Sequence, residues 1–127
     1  MAGNQMNKQN RIIFAKEYLS QNLDTRVSLT DVAQKINISQ FHFLRMFKSQ
    51  MGVSPHQFRI KARIQAAKSL LQKEIPLAEI ALETGFSDQS HFTNTFKKYA
   101  GVTPKKYIDN TRITHKNRGS TVKLSVA

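Results

Sequence analysis

The chain has 127 residues, and its 20 Lys and Arg against 8 Asp and Glu leave a formal charge of +12. That length suits one compact domain, or two small subdomains sharing a helix, and is too short for a nucleic-acid reader joined to a separate effector-sensing domain. The charge makes an acidic polymer the leading partner, with a membrane surface as competitor, while the lack of cysteine removes disulfides, thiolate metal sites and cysteine nucleophiles.

The N-terminal MAGNQMNKQN is polar, without the apolar core of a signal peptide, and no run approaches the ~20 apolar residues of a membrane span. A soluble cytoplasmic protein with no membrane partner is expected, beginning with a disordered arm over residues 1–8. From about Lys8 to Gln21 the spacing predicts a helix, with Ile12, Ala15 and Leu19 as its apolar stripe and Phe14 and Tyr18 one turn apart beside it. Asn22 to Val27 connects.

SLTDVAQKI, from Ser28 to Ile36, predicts a short helix capped by Ser28, with Leu29, Val32, Ala33 and Ile36 on its apolar face. Asn37 suits the left-handed position that ends it, Ile38 locks the end, and Ser39 caps the next helix at once. That helix, Gln40 to Met51, closes at Gly52, so residues 29–51 form a helix-turn-helix. Ser54, Pro55 and Gln57 then open a long linker helix over 55–73 with a capping box. Phe58, Ala62, Ala66, Ala67, Leu70 and Leu71 face inward there, and Arg59, Lys61, Lys68 and Lys73 are expected to face water.

Slid against itself by 48 residues, the chain sets Ser28-Leu29-Thr30-Asp31-Val32-Ala33 on Pro76-Leu77-Ala78-Glu79-Ile80-Ala81, and Asn37-Ile38-Ser39 on Gly85-Phe86-Ser87. One extra residue after Ser87 moves the offset to 49, and His42-Phe43, Phe47-Lys48, Gly52-Val53-Ser54-Pro55 and Phe58 then meet His91-Phe92, Phe96-Lys97, Gly101-Val102-Thr103-Pro104 and Tyr107. A second helix-turn-helix is therefore predicted over 77–100, followed by a short exit helix from Pro104 to about Asn110. The fold class is all-α: two helix-turn-helix subdomains joined by one long helix, about seven helices in all, within a domain spanning 9–110. Residues 111–127 are basic and polar without helical period; a flexible tail is expected, with a weak strand-like alternation at Val122, Leu124 and Val126.

A helix, a tight turn and a second helix also occur in any packed bundle. The faces of the second helices add chemistry. At ~100° per residue, Phe43, Met46, Phe47 and Gln50 share a core arc, and Gln40, Phe41, Leu44, Arg45 and Lys48 share another. In the second unit Phe92, Thr95, Phe96 and Tyr99 make the core arc, and Gln89, Ser90, Thr93, Asn94 and Lys97 the outer one. The outer arcs carry what base edges require: Arg for guanine, Asn or Gln for adenine, Ser or Thr for either, and apolar groups for thymine methyls. Neither arc contains an acid, which phosphates would reject. A linker rod of roughly 30 Å could hold two reading helices near the ~34 Å repeat of the major groove.

Ile80-Ala81, Gly85-Phe86-Ser87, Ser90-His91-Phe92, Phe96-Lys97 and Gly101-Val102-Thr103-Pro104, with Arg63-Ile64 and Ala67-Leu70-Leu71 in the linker, resemble the AraC/XylS family of transcription regulators over about Ile12 to Asn110. The chain is most similar to its stand-alone members. The resemblance implies a monomeric activator of the bacterial cytosol or nucleoid. It would place two reading helices in adjacent major grooves of an asymmetric promoter site and recruit RNA polymerase, with no small-molecule effector domain and no cofactor. It maps base contacts onto Phe41, Leu44 and Arg45 in the first unit and Gln89, Ser90, His91 and Asn94 in the second. Leu44 and Asn94 stand where stand-alone members carry longer polar or basic side chains, so a target sequence does not carry over.

From the residues themselves, Arg45 is the first candidate for a base contact. Gln40, Lys48, Thr93 and Lys97 suit the backbone or groove edge. Phe41 stands between an outlying core residue and a thymine-methyl or sugar contact. His42 and His91 share one slot, where a packed helix-border histidine is the plainer role. No His or carboxylate stands at metal-ligand spacing with them. Glu79, Glu83 and Asp88 are expected to face away from DNA as a solvated face. The alternative to a sequence-specific regulator is a non-specific or architectural nucleic-acid binder. An enzyme is not expected, since no nucleophile set, carboxylate pair or phosphate-cradling loop is present.

Overall fold

The computed structural model describes residues 7–120, with side chains described as far as Arg112. That range holds seven α-helices: α1 (Lys8–Ser20), α2 (Leu29–Lys35), α3 (Gln40–Met51), α4 (Pro55–Leu71), α5 (Leu77–Glu83), α6 (Gln89–Ala100) and α7 (Pro104–Ser120). No strand occurs among the described residues, so the class is all-α. The chain divides into two compact units, residues 1–63 and 64–127, with α4 beginning in the first and ending in the second.

In the first unit, Ile12, Ala15 and Leu19 of α1 are buried with Val32, Ala33 and Ile36 around α2 and Phe43, Met46 and Phe47 of α3. Phe58 of α4 seals this core, its ring meeting Phe47 edge-on at 5.5 Å while Phe47 lies 5.7 Å from Phe43. The second unit repeats the device: Phe92 to Phe96 is 5.7 Å and Phe96 to Tyr107 is 5.6 Å. Tilted and edge-on ring pairs of this kind add about 0.5–1.5 kcal/mol beyond the area they bury. The extra ring in this unit is Phe86, 5.4 Å from Phe92, where the first unit has Ile38.

Asn7 caps α1, its side chain accepting from the Asn10 N–H at 2.7 Å, so the helix starts at Lys8 where its spacing places it; residues 1–6 of the expected arm lie outside the described residues. Two boundaries differ from the sequence expectation. The linker helix stops at Leu71 rather than residue 73, its last turn tightening as Gln72 and Lys73 donate to Ser69 and Leu70, before Glu74 turns left-handed at φ 55. The exit helix does not end near Asn110 but runs to Ser120. No Pro or Gly falls between Pro104 and Gly119, and the Thr111 hydroxyl donates back to the Ile108 carbonyl at 2.9 Å instead of competing for another conformation. The expected flexible tail is thereby corrected over 111–120; residues 121–127, with the Val122, Leu124 and Val126 alternation, lie outside the described residues.

Candidate nucleic-acid interface

Helices α3 and α6 are each launched by the turn before them. In the first unit Asn37 takes φ 61 and the Ile38 N–H reaches back to the Ala33 carbonyl at 3.1 Å; in the second Gly85 takes φ 94 and the Phe86 N–H reaches Ala81 at 2.9 Å. Asparagine is the side chain that best tolerates this left-handed conformation when glycine is absent. The next residues cap. The Ser39 hydroxyl accepts from the His42 N–H at 3.0 Å to start α3, and the Asp88 carboxylate accepts from the His91 N–H at 2.8 Å to start α6. Asp88, expected on a solvated acidic face turned from DNA, is therefore the cap of α6. The one-residue slip in the repeat moves this role from Ser87 to Asp88.

On α3, Gln40, Phe41, Arg45 and Lys48 are exposed and Leu44 is half-buried. Phe41 is 68 % exposed, which removes it from the core, and the Arg45 guanidinium lies over its ring at 5.3 Å. That stacking orients the guanidinium without using its N–H donors. Gln40 is partly engaged, its amide oxygen accepting from the Thr30 hydroxyl at 2.7 Å and tying the start of α2 to the start of α3; its amide N–H group remains able to donate.

On α6, Gln89, Ser90, Asn94 and Lys97 are exposed and Thr93 is half-buried. The core arcs bury Phe43, Met46 and Phe47 in α3 and Phe92 and Phe96 in α6, whereas Gln50 is exposed and Thr95 and Tyr99 are half-buried. His42 is exposed and not packed as the plainer role required. His91 is also exposed, but anchored: its Nδ1 lies 3.3 Å from the Ser87 hydroxyl and its ring meets Phe86 edge-on at 5.3 Å.

Arg59, expected to face water, is instead 7 % exposed. Its guanidinium donates to the carbonyls of Leu19 at 2.9 Å, Gln21 at 3.2 Å and Asn22 at 2.8 Å, and to Thr25. These are the carbonyls that the end of α1 and the following turn leave without helical partners, so a side chain from α4 caps α1. Arg63 adds its Nε donation to the Leu23 carbonyl at 3.2 Å. Burial lowers the pKa of both arginines; Arg63 lowers that of Arg59 further and Asp24 opposes the shift. Periodicity carries no sign of this cage, because its acceptors are backbone atoms about 34 to 40 residues away. The first turns of α4 thus hold α3 through Phe58 and α1 through Arg59.

Among the described residues no group of three His, Asp or Glu could hold a metal ion, and no helix is long and apolar enough to cross a membrane.

A family profile described as "Helix-turn-helix domain" matches residues 32–110. The chain is 33% identical over 97 residues to the probable transcriptional regulator LumQ of Photobacterium leiognathi, covering 76% of this chain and 39% of LumQ. It is 34% identical over 92 residues to the multiple antibiotic resistance protein MarA of Salmonella typhimurium, covering 72% of each. The chain thus spans about two fifths of the first relative's length and nearly three quarters of the second's. Among solved structures it is similar to a transcriptional regulator with an AraC-type DNA-binding domain from Chromobacterium violaceum, with a TM-score of 0.75, 26% identity, and coverage of 80% of this chain and 91% of that one.

Proposed function

This chain belongs to the AraC-type helix-turn-helix family of transcription regulators, and on that premise we propose that it binds double-stranded promoter DNA sequence-specifically, as a monomer, through α3 and α6. The family is one of regulators and not of enzymes. The observation that carries the reading is the duplicated outer arc, exposed on both helices apart from the half-buried Leu44 and Thr93, rich in base-edge donors and acceptors and free of acid within either helix. Phe41, Leu44 and Arg45 contact bases from α3, and Gln89, Ser90, His91 and Asn94 from α6. Gln40, Lys48, Thr93 and Lys97 meet phosphate or the groove edge, where a cation or hydroxyl positions the protein without reading sequence.

One chain with two readers supplies both half-site contacts that a helix-turn-helix dimer would supply, which supports a monomer. The two arcs differ in side chains, so the half-sites differ and the site is asymmetric. Activation through RNA polymerase accords with the family, and the outward face of α5, with Glu79, Glu83 and a 61 % exposed Leu82, offers a protein partner a surface unlike the basic remainder. A regulator of this kind works in the cytoplasm, at the nucleoid.

The test is the ratio of affinities for a selected duplex and a random one, measured at one salt concentration with wild type and Arg45→Ala. A bidentate guanine contact predicts a loss of about 1–3 kcal/mol on the selected duplex and little on the random one. A wild-type ratio near unity selects the architectural alternative, and equal loss on both duplexes removes Arg45 from base recognition.

A further inference from the structure

Ser39 and Asp88 play the same part in their two units, each capping a helix of 12 residues by accepting the N–H of the residue three positions on. A hydroxyl does this in the first unit at 3.0 Å and a carboxylate in the second at 2.8 Å, so capping by itself does not call for a charge. Asp88 is also the sole acid on either reading helix or its cap, in a protein of net charge +12. It is exposed, one oxygen serves the His91 N–H, and the other has no hydrogen-bond partner among the described residues.

A carboxylate oxygen at the leading end of a groove-inserted helix is repelled by phosphate and accepts only from donors. The major-groove edge offers two amino donors, adenine N6 and cytosine N4. Adenine sets its N7 acceptor beside the amino group, which opposes an anion. Guanine and thymine present acceptors, and cytosine presents N4 alone. We infer that Asp88 is a specificity-determining residue of the second reading helix, its unpartnered carboxylate oxygen accepting from cytosine N4 at the base pair facing the start of α6. This rests on the DNA-reading function proposed above.

The experiment selects duplexes from a random pool with the full wild-type chain, then with Asp88→Ser, which keeps a cap like that of Ser39, and Asp88→Asn, which keeps the shape and loses the charge. Affinities are then measured on the wild-type site and on its single C-to-T variants, with thermal unfolding of each protein as the fold control. Wild type is expected to favour cytosine over thymine at one position in the half-site of α6 by about fivefold or more. Both variants lose that preference there while keeping the other preferences and unfolding within a few degrees of wild type. Variants that retain every wild-type base preference overturn the inference and leave Asp88 a cap, as do variants that bind all duplexes more tightly by one common factor. A wild-type chain that enriches no sequence overturns the DNA-reading function itself, and this inference with it.

Discussion

Arg59 shows most plainly where a helical wheel fails. Its position among Arg59, Lys61, Lys68 and Lys73 assigns it to the solvated side of α4, yet it is buried because four backbone carbonyls, from Leu19, Gln21, Asn22 and Thr25, take its donors. Truncation would leave those acceptors without the cation, so Arg59→Met is expected to cost about 2–4 kcal/mol of stability in urea unfolding. Arg59→Lys should recover only part of that loss, since an ammonium cannot span the fork. A change below about half a kcal/mol in the Met variant would mean that water replaces the cage at no cost. The arcs of α3 and α6 are legible at their large residues, because Phe43, Met46, Phe47, Phe92 and Phe96 are buried and Gln40, Phe41, Arg45, Gln89, Asn94 and Lys97 exposed as the wheel places them, while Gln50 is exposed and Leu44, Thr93, Thr95 and Tyr99 are half-buried. Asp88 is not legible, since a cap lies outside helical geometry and escapes the wheel.

Caps and stops are legible for the elements wherever the chemistry is local. Ser54 and Gln57 form the reciprocal pair at the start of α4: the Gln57 N–H donates to the Ser54 hydroxyl at 3.1 Å, and the Ser54 N–H donates to the Gln57 amide oxygen at 3.3 Å. Ser54→Ala should lower stability by about 1 kcal/mol, read as a shift in urea midpoint at constant slope. Gln57→Ala should cost less, because it removes the longer bond. A Ser54→Ala variant as stable as wild type would show that Pro55 alone sets the start. The end of α7 departs from the sequence expectation for a physical reason. A polar, basic run without apolar period suggests flexibility, but polarity does not stop a helix; the lack of a breaker before Gly119 lets α7 continue to Ser120.

Over the whole molecule, the self-match at offsets of 48 and 49 residues makes the architecture readable, because each unit closes its own core with the same aromatic chain. The charge of +12 acts at this scale as well, and binding should weaken steeply with salt. If Lys48 and Lys97 each touch one phosphate, changing either to Gln should reduce the slope of log affinity against log salt by about 1, with base preferences unchanged. An unaltered slope in both variants would place these lysines off the backbone. Selection from a random duplex pool by the intact chain, at fixed salt, asks most directly whether two unlike readers act on one duplex. The expected product is a non-palindromic site of two dissimilar elements, centred about one helical turn apart. Enrichment of a palindrome, of a single short element, or of nothing would contradict it.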